Sequence, residues 1–339
     1  MISAQTTSVS AERRRAMLRT AMGPAIAAAF SDPRVIEIMV NPDGALRVDI
    51  LGEGRVDTDV KLDPAQVERI IRLVASHVRS EVHGDKPIVS AELPPLGSGA
   101  GERFEGILPP VSTAPCFSIR KPAARIYTLM DYVTDGIMSA QAARLLSLAV
   151  VDRRNILVAG GTSSGKTTLA NALLAEMADL DERVILIEDT RELQSPARDT
   201  VALRTRPSSP DKNTAVTMGD LVRSTLRLRP DRIIVGEVRG GEALDMLKAW
   251  NTGHPGGIAT VHANSAASAL YRIEQLMQEA VATVPRRLVA EAIDMIVFIA
   301  GRGTARRIET IARVAGLDPD GGYAVIDLTP PLIPDLQGE

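Results

Sequence analysis

The sequence predicts an α/β protein: a P-loop sandwich preceded by a smaller α+β domain. Three observations carry this. From about residue 138 onward, short β-branched runs alternate with helical patterns. One of those runs breaks into a glycine- and serine-rich turn that opens a helix. The first 120 residues show a helix and a β-hairpin but no nucleotide motif of their own.

Taken in order, residues 1–10 are rich in Ser and Thr and are expected to be disordered. A helix should cover about Ala11 to Phe30 and stop at the Ser31-Asp32-Pro33 breaker. Val35–Val40 and Ala45–Ile50 flank an Asn41-Pro42-Asp43-Gly44 turn and read as a hairpin. Asp63-Pro64 opens a second helix, in which Val67, Ile70, Ile71 and Val74 share one face. Arg103–Leu108 and Cys116–Arg120 are strand candidates around a Pro-Pro turn and complete an α+β domain over residues 11–120. Residues 121–137 read as a linker. The core domain then spans residues 138–315, with a helix at Ala140–Val151. Its strands are expected at Ile156–Ala159, Val184–Glu188, Arg232–Gly236, Gly257–Val261, Ile293–Ile299 and Arg307–Ile311. Apolar runs of that kind between helices suggest a mostly parallel sheet covered on both faces. The proline-rich tail, residues 316–339, is expected to be loosely ordered.

Composition bounds the function. The chain is 339 residues long, 45% hydrophobic and 24% charged, with a net charge of −3, which gives no global attraction to nucleic acid or anionic lipid. Cys116 is its one cysteine, so an intramolecular disulfide and a thiolate zinc cluster are both excluded. No apolar run is long enough to cross a bilayer as a helix. These features fit a cytoplasmic protein.

The glycine-rich turn carries the most chemistry. Gly160-Gly161-Thr162-Ser163-Ser164-Gly165-Lys166-Thr167-Thr168 satisfies G-x-x-x-x-G-K-[ST] between a strand and a helix. Backbone N–H groups of such a loop curl around phosphate oxygens, and the following helix adds its positive end. Lys166 should reach the β- and γ-phosphates of ATP, and the Thr167 hydroxyl should ligate Mg2+. Strand ends beside such a loop supply the other groups. Glu188-Asp189 closes the second core strand with Glu192 close behind, and Glu237 follows the third. One carboxylate is needed to activate water and another to hold Mg2+, although carboxylates at these places also cap helices. The choice of base among Glu188, Glu192 and Glu237 stays open. His262 ends a strand and could sense the γ-phosphate, while His254 lies in a Gly/Pro loop that it could help to reshape. Either histidine taken alone reads as a structural hydrogen-bonder, and no further His or Cys completes a zinc site.

Four ordered boxes carry a resemblance: Gly160–Thr168, Ile187-Glu188-Asp189-Thr190, Arg227–Arg239 and Thr252–Ala263. The sequence resembles the traffic ATPases of type II/IV secretion systems, and Leu244–Asn264 is most similar to their conjugal-transfer, TrbB-type branch. The resemblance covers about residues 12–315 and implies a RecA-like P-loop core. It also implies a homohexameric ATPase at the cytoplasmic face of the inner membrane, working with inner-membrane components of a conjugative type IV secretion system. Nucleotide would lie between the two domains, and Arg103 and Arg120 match the arginines that complete the pocket. The acidic-box residue maps to Glu188, with Glu192 as alternate, and the Walker B glutamate to Glu237. Two rival classes are a RecA-like nucleic-acid motor and a nucleotide-gated scaffold. With aromatics at 3%, direct sequence-specific nucleic-acid binding is not expected.

Overall fold

The computed structural model describes residues 2–78, 80–94, 101–122, 125–206 and 215–332. The chain divides into two compact units, Met1–Ala124 and Arg125–Glu339.

In the first unit a long helix α1 (Ile2–Ser31) precedes β1 (Val35–Val40), β2 (Ala45–Ile50) and β3 (Gly54–Lys61). Helix α2 (Pro64–His77) and strands β4 (Ile88–Glu92), β5 (Arg103–Ile107) and β6 (Cys116–Arg120) follow. The sheet order is β3-β2-β1-β6-β5-β4, antiparallel throughout. Period-two alternation puts Ile38, Val40, Leu46, Phe104, Phe117 and Ile119 on one face. That face packs against Ile26 and Phe30 of α1 and Val67, Ile70, Ile71 and Val74 of α2. Asp63 caps α2 by accepting from Ala65 N at 2.8 Å, and proline follows it in the first turn. Cys116 is half-buried, more exposed than a core hydrophobe.

The second unit opens with α3 (Leu129–Thr134), α4 (Ala140–Val151), β7 (Ile156–Gly160) and α5 (Lys166–Ala175). Then come β8 (Arg183–Glu188), β9 (Asp199–Arg204), α6 (Met218–Thr225), β10 (Arg232–Val235), α7 (Glu242–Asn251) and β11 (Ile258–His262). Two helices, α8 (Ala266–Met277) and α9 (Arg286–Ala292), lead to β12 (Met295–Ala300), β13 (Arg307–Leu317) and β14 (Tyr323–Asp327). The eight-stranded order is β14-β13-β12-β7-β11-β10-β8-β9. β12 through β9 run parallel, and β13 and β14 add an antiparallel hairpin. Strands β7, β8, β10 and β12 are buried on both faces, which is why they read as continuous apolar runs. One core holds Trp250, Leu270 and Ile273 and the other Leu146, Leu169 and Leu173, with the sheet between them.

Three expectations are corrected. α1 takes in residues 2–10, where disorder was expected, because no Gly or Pro interrupts the chain before Gly23, the point at which the helix breaks (φ 83°). Residues 125–137, expected to be linker, belong to the second unit. There Thr128 and Asp131 cap α3 reciprocally, and Leu129 and Tyr132 are buried in the core. The tail is not loose through residue 327: Asp318 accepts from Gly322 N at 2.7 Å, turning the chain so that β14 pairs with β13.

Gly257 shows how tightly the sheet is packed. A Cβ there would lie 2.0 Å from Trp250 Nε1, which donates to Ile233 O at 3.0 Å. Gly257→Ala should therefore destabilise the fold by about 1–3 kcal/mol as an overpacking change. Urea unfolding would measure it, and an unchanged midpoint would refute this account.

Candidate active site

β7 delivers the chain to Gly160, where a Cβ would meet Ile299 O at 2.5 Å, so only glycine lets the loop leave the sheet here. The loop turns through left-handed conformations at Ser163 (φ 61°) and Gly165 (φ 100°). Gly161, Thr162 and Ser163 are exposed; Ser164 is buried, with no partner for its hydroxyl among the described residues. Lys166, buried at the first position of α5, donates from Nζ to Gly161 O at 2.9 Å and lies 3.3 Å from His262 Nδ1. Thr167 and Thr168 are half-buried in the same first turn. This leaves a backbone cradle with a lysine across it, suited to a polyphosphate.

Parallel pairing brings the other groups to that edge. β11 pairs with β7 so that His262 is in register with Gly160, and β10 and β8 follow on the same side. Because the Lys166 ammonium can only donate, His262 Nδ1 must accept and Nε2 carries the ring proton. Nε2 lies 2.8 Å from Glu237 Oε1, a close polar contact without hydrogen-bond alignment, and Oε1 accepts no hydrogen bond among the described residues. Burial and the Lys166 charge together lower the His262 pKa against the opposing pull of Glu237, so the ring is neutral at pH 7. Burial raises the Glu237 carboxyl, but the Arg239 hydrogen bond at 2.5 Å and the Arg239, His262 and Lys166 charges outweigh it, and the group sits below its ordinary value. Arg239 also faces Asp189 at 3.8 Å, and Asp189 accepts from the Thr205 hydroxyl at 2.9 Å.

Glu188 is set apart from this chain. It is 3% exposed, and its Oε1 accepts from Glu192 N at 2.9 Å and Leu193 N at 2.7 Å. Asn171 of α5 holds the same segment, donating to Glu192 O and accepting from Gln194 N. Gly236 makes room, since a Cβ there would lie 2.9 Å from Glu188 Cγ. Glu188 thus fixes the loop that carries half-buried Glu192, whose charge acts on Arg239. Nothing in the sequence pointed to Asn171, whose signal is a polar residue on the buried side of an apolar helix.

The remaining residues separate. His254 enters β11 at the end opposite the phosphate loop, with Nδ1 2.9 Å from Pro230 O, so the two histidines occupy opposite ends of one strand. Arg103 and Arg120 lie in the first unit as direct cross-strand partners. They belong to an in-register row, Glu92–Arg103–Arg120–Glu37–Asp49–Arg55, with one charge from each strand. Two adjacent guanidinium groups repel unless an anion lies between or over them. A cleft of about 380 Å³ adjoins the loop, lined by Thr162, His262, Asn264, Tyr271 and Arg272. No cluster of three or more His, Cys, Asp or Glu side chains able to hold a metal occurs among the described residues. The donors present, the Thr167 hydroxyl and the Glu237 carboxylate, fit Mg2+ held jointly with substrate phosphates.

The model of the family described as Type II/IV secretion system protein matches residues 69–302. The chain belongs to that family. It is 46% identical over 301 residues to conjugal transfer protein TrbB of Rhizobium radiobacter, covering 88% of this chain and 90% of that one. The type IV secretion system protein PtlH of Bordetella pertussis is 35% identical over 309 residues, covering 82% and 89%. In fold the family member resembles the pilus retraction motor PilT with bound ADP, at TM-score 0.59 and 19% identity over 91% of this chain and 82% of that one. It also resembles the Legionella pneumophila ATPase DotB, at TM-score 0.56 and 17% identity over 89% and 78%. No helix among the described residues is long and apolar enough to cross a membrane.

Burial pushes the Glu188 carboxyl up to about 7, against the two backbone N–H bonds that favour its charged form. The folded state then binds more protons than the unfolded chain between pH 4.5 and about 7, so stability falls as pH rises through that window. Glu188→Gln keeps the acceptor oxygen and removes the charge. It should melt like the wild type near pH 5 and be more stable at pH 8, by on the order of 1–3 kcal/mol. Parallel pH profiles for the two proteins would contradict this assignment.

Proposed function

We propose that this chain is the ATPase of a conjugative type IV secretion system, converting ATP and water to ADP and phosphate as a homohexamer. It would work from the cytoplasm, peripherally associated with inner-membrane components of that system. The single observation that carries the reading is the run Lys166–His262–Glu237 at the mouth of a complete phosphate loop. Membership of the secretion family and the relatives' conjugal-transfer names support the setting.

In this reading the N–H groups of Gly161–Thr168 cradle the phosphates and Lys166 leaves the Gly161 carbonyl for the β- and γ-phosphates. Thr167 and Glu237 would hold Mg2+ together with the phosphates, and the ion would supply neutralisation of the charge that develops on the leaving group. Glu192, held by the Glu188 and Asn171 bonds to its loop, orients the attacking water. His262 loses its Lys166 contact when a γ-phosphate arrives and so reports its presence. Arg103 and Arg120, a paired positive site, neutralise transition-state charge when nucleotide closes the first unit over the second. Hydrolysis then reopens it, and cycling around the ring transmits work.

Lys166→Ala should reduce ATP turnover to background in a colorimetric phosphate assay with Mg2+, and undiminished turnover would overturn the loop assignment. Wild-type activity per subunit should rise steeply with protein concentration to a plateau, in step with a hexamer by light scattering. A flat rate from a monomer would overturn the ring.

A further inference from the structure

On the far side of the phosphate loop from His262 lies an arginine that no known role accounts for. β7 has two neighbours in the sheet: β11, which brings His262 and leads on to β10 and Glu237, and β12. β12 is parallel to β7, with Ile299 in register with Gly160, so the turn after it, residues 301–306, leaves the sheet at the same edge as the phosphate loop. That turn carries two arginines. Arg302 donates from Nε to Thr162 O at 3.0 Å and braces the loop's backbone. Arg306 lies along Gly165, where a Cβ would be 2.9 Å from its Nε and 3.1 Å from its Cζ.

The Arg306 side chain is half-buried; its Nε is buried without a hydrogen-bond partner, and no carboxylate among the described residues pairs with it. Beside it is a second orphan: the hydroxyl of Tyr132, 1% exposed, has no hydrogen-bond partner among the described residues either and feels the Arg306 charge. A guanidinium partly withdrawn from water normally has a carboxylate or phosphate to meet it. Here the available anion is the ligand of the loop itself. A triphosphate whose γ end faces His262 and Glu237 must run its α end away from them, toward β12.

We propose that Arg306 is the ligand of the nucleotide α-phosphate, supplied within the same chain from the β12–β13 turn. This rests on nucleotide binding at the phosphate loop. It also explains why position 165 carries no side chain: any Cβ would displace the guanidinium, besides straining the left-handed backbone.

The test is equilibrium binding of Mg-ATP, Mg-ADP and the two diastereomers of adenosine 5′-O-(1-thiodiphosphate) to full-length wild type, Arg306→Gln and Arg306→Lys. Sulfur replaces one α-phosphate oxygen at a time, so a protein that contacts that oxygen tells the diastereomers apart. The wild type should discriminate between them. Arg306→Gln should bind ATP and ADP about tenfold more weakly, by the same factor, and lose the discrimination. If Arg306→Gln lacks a cooperative melting transition, Arg306→Lys decides: retained discrimination supports the assignment and its loss overturns it. Wild-type binding that Arg306→Gln matches overturns the assignment alone, as does a loss confined to ATP or a diastereomer preference that Arg306→Gln keeps. A wild type that binds no nucleotide overturns the phosphate-loop reading along with it.

Discussion

The contact between Lys166 Nζ and His262 Nδ1, at 3.3 Å, depends on one constraint: β11 must lie beside β7 in parallel and in register. A slip of one residue would send the His262 side chain to the other face of the sheet, away from the lysine. The register is set below, where Asn155 Oδ1 accepts from Gly256 N at 2.8 Å and Gly257 N at 2.9 Å and its amide donates to Ala292 O. Asn155 therefore ties the starts of β7 and β11 and the end of α9, and the opposite ends of the two strands meet at the phosphate loop. The bottom of the sheet is a register device for the top.

With the strands so placed, the carboxylates divide by environment. Glu188 is withdrawn from water and holds two backbone donors on Oε1, which suits a group that shapes a loop. Glu237 is surrounded by cations and stays ionised, which suits a group meant to face a metal or a polarised water. Similar side chains at similar strand ends thus acquire different chemistry from burial and neighbours.

The first unit shows a different economy. Its inner face is apolar and packs on two helices, while the outer face carries a row of six charges in the order −, +, +, −, −, +. Within it Arg103 and Arg120 are adjacent like charges, each with a glutamate, Glu92 or Glu37, as its cross-strand neighbour on the other side. Burial raises the Asp49 carboxyl, and neighbouring Glu37 raises it further, while Arg120 and Arg55 pull it down.

The phosphate loop, the apolar central strands and their alternation with helices were legible in the sequence because each is a local pattern. A glycine turn between a strand and a helix needs no partner to be recognised, and a strand buried on both faces is apolar along its whole length. The strands that the sequence did not disclose are β3, β4, β9 and β14, which are the four edges of the two sheets. An edge strand is partly wetted and carries charges that discourage association, so its hydrophobic signal is diluted: β3 is exposed at seven of its eight positions. The candidate carboxylates and His262 could be named from strand ends, but not sorted. Only the tertiary structure decided that Glu188 is buried behind Gly236, that Asn171 reaches across from α5, and that Arg306 lies against Gly165 across 140 residues of chain. These are contacts between segments far apart in sequence, fixed by sheet order and packing, and no local pattern encodes them.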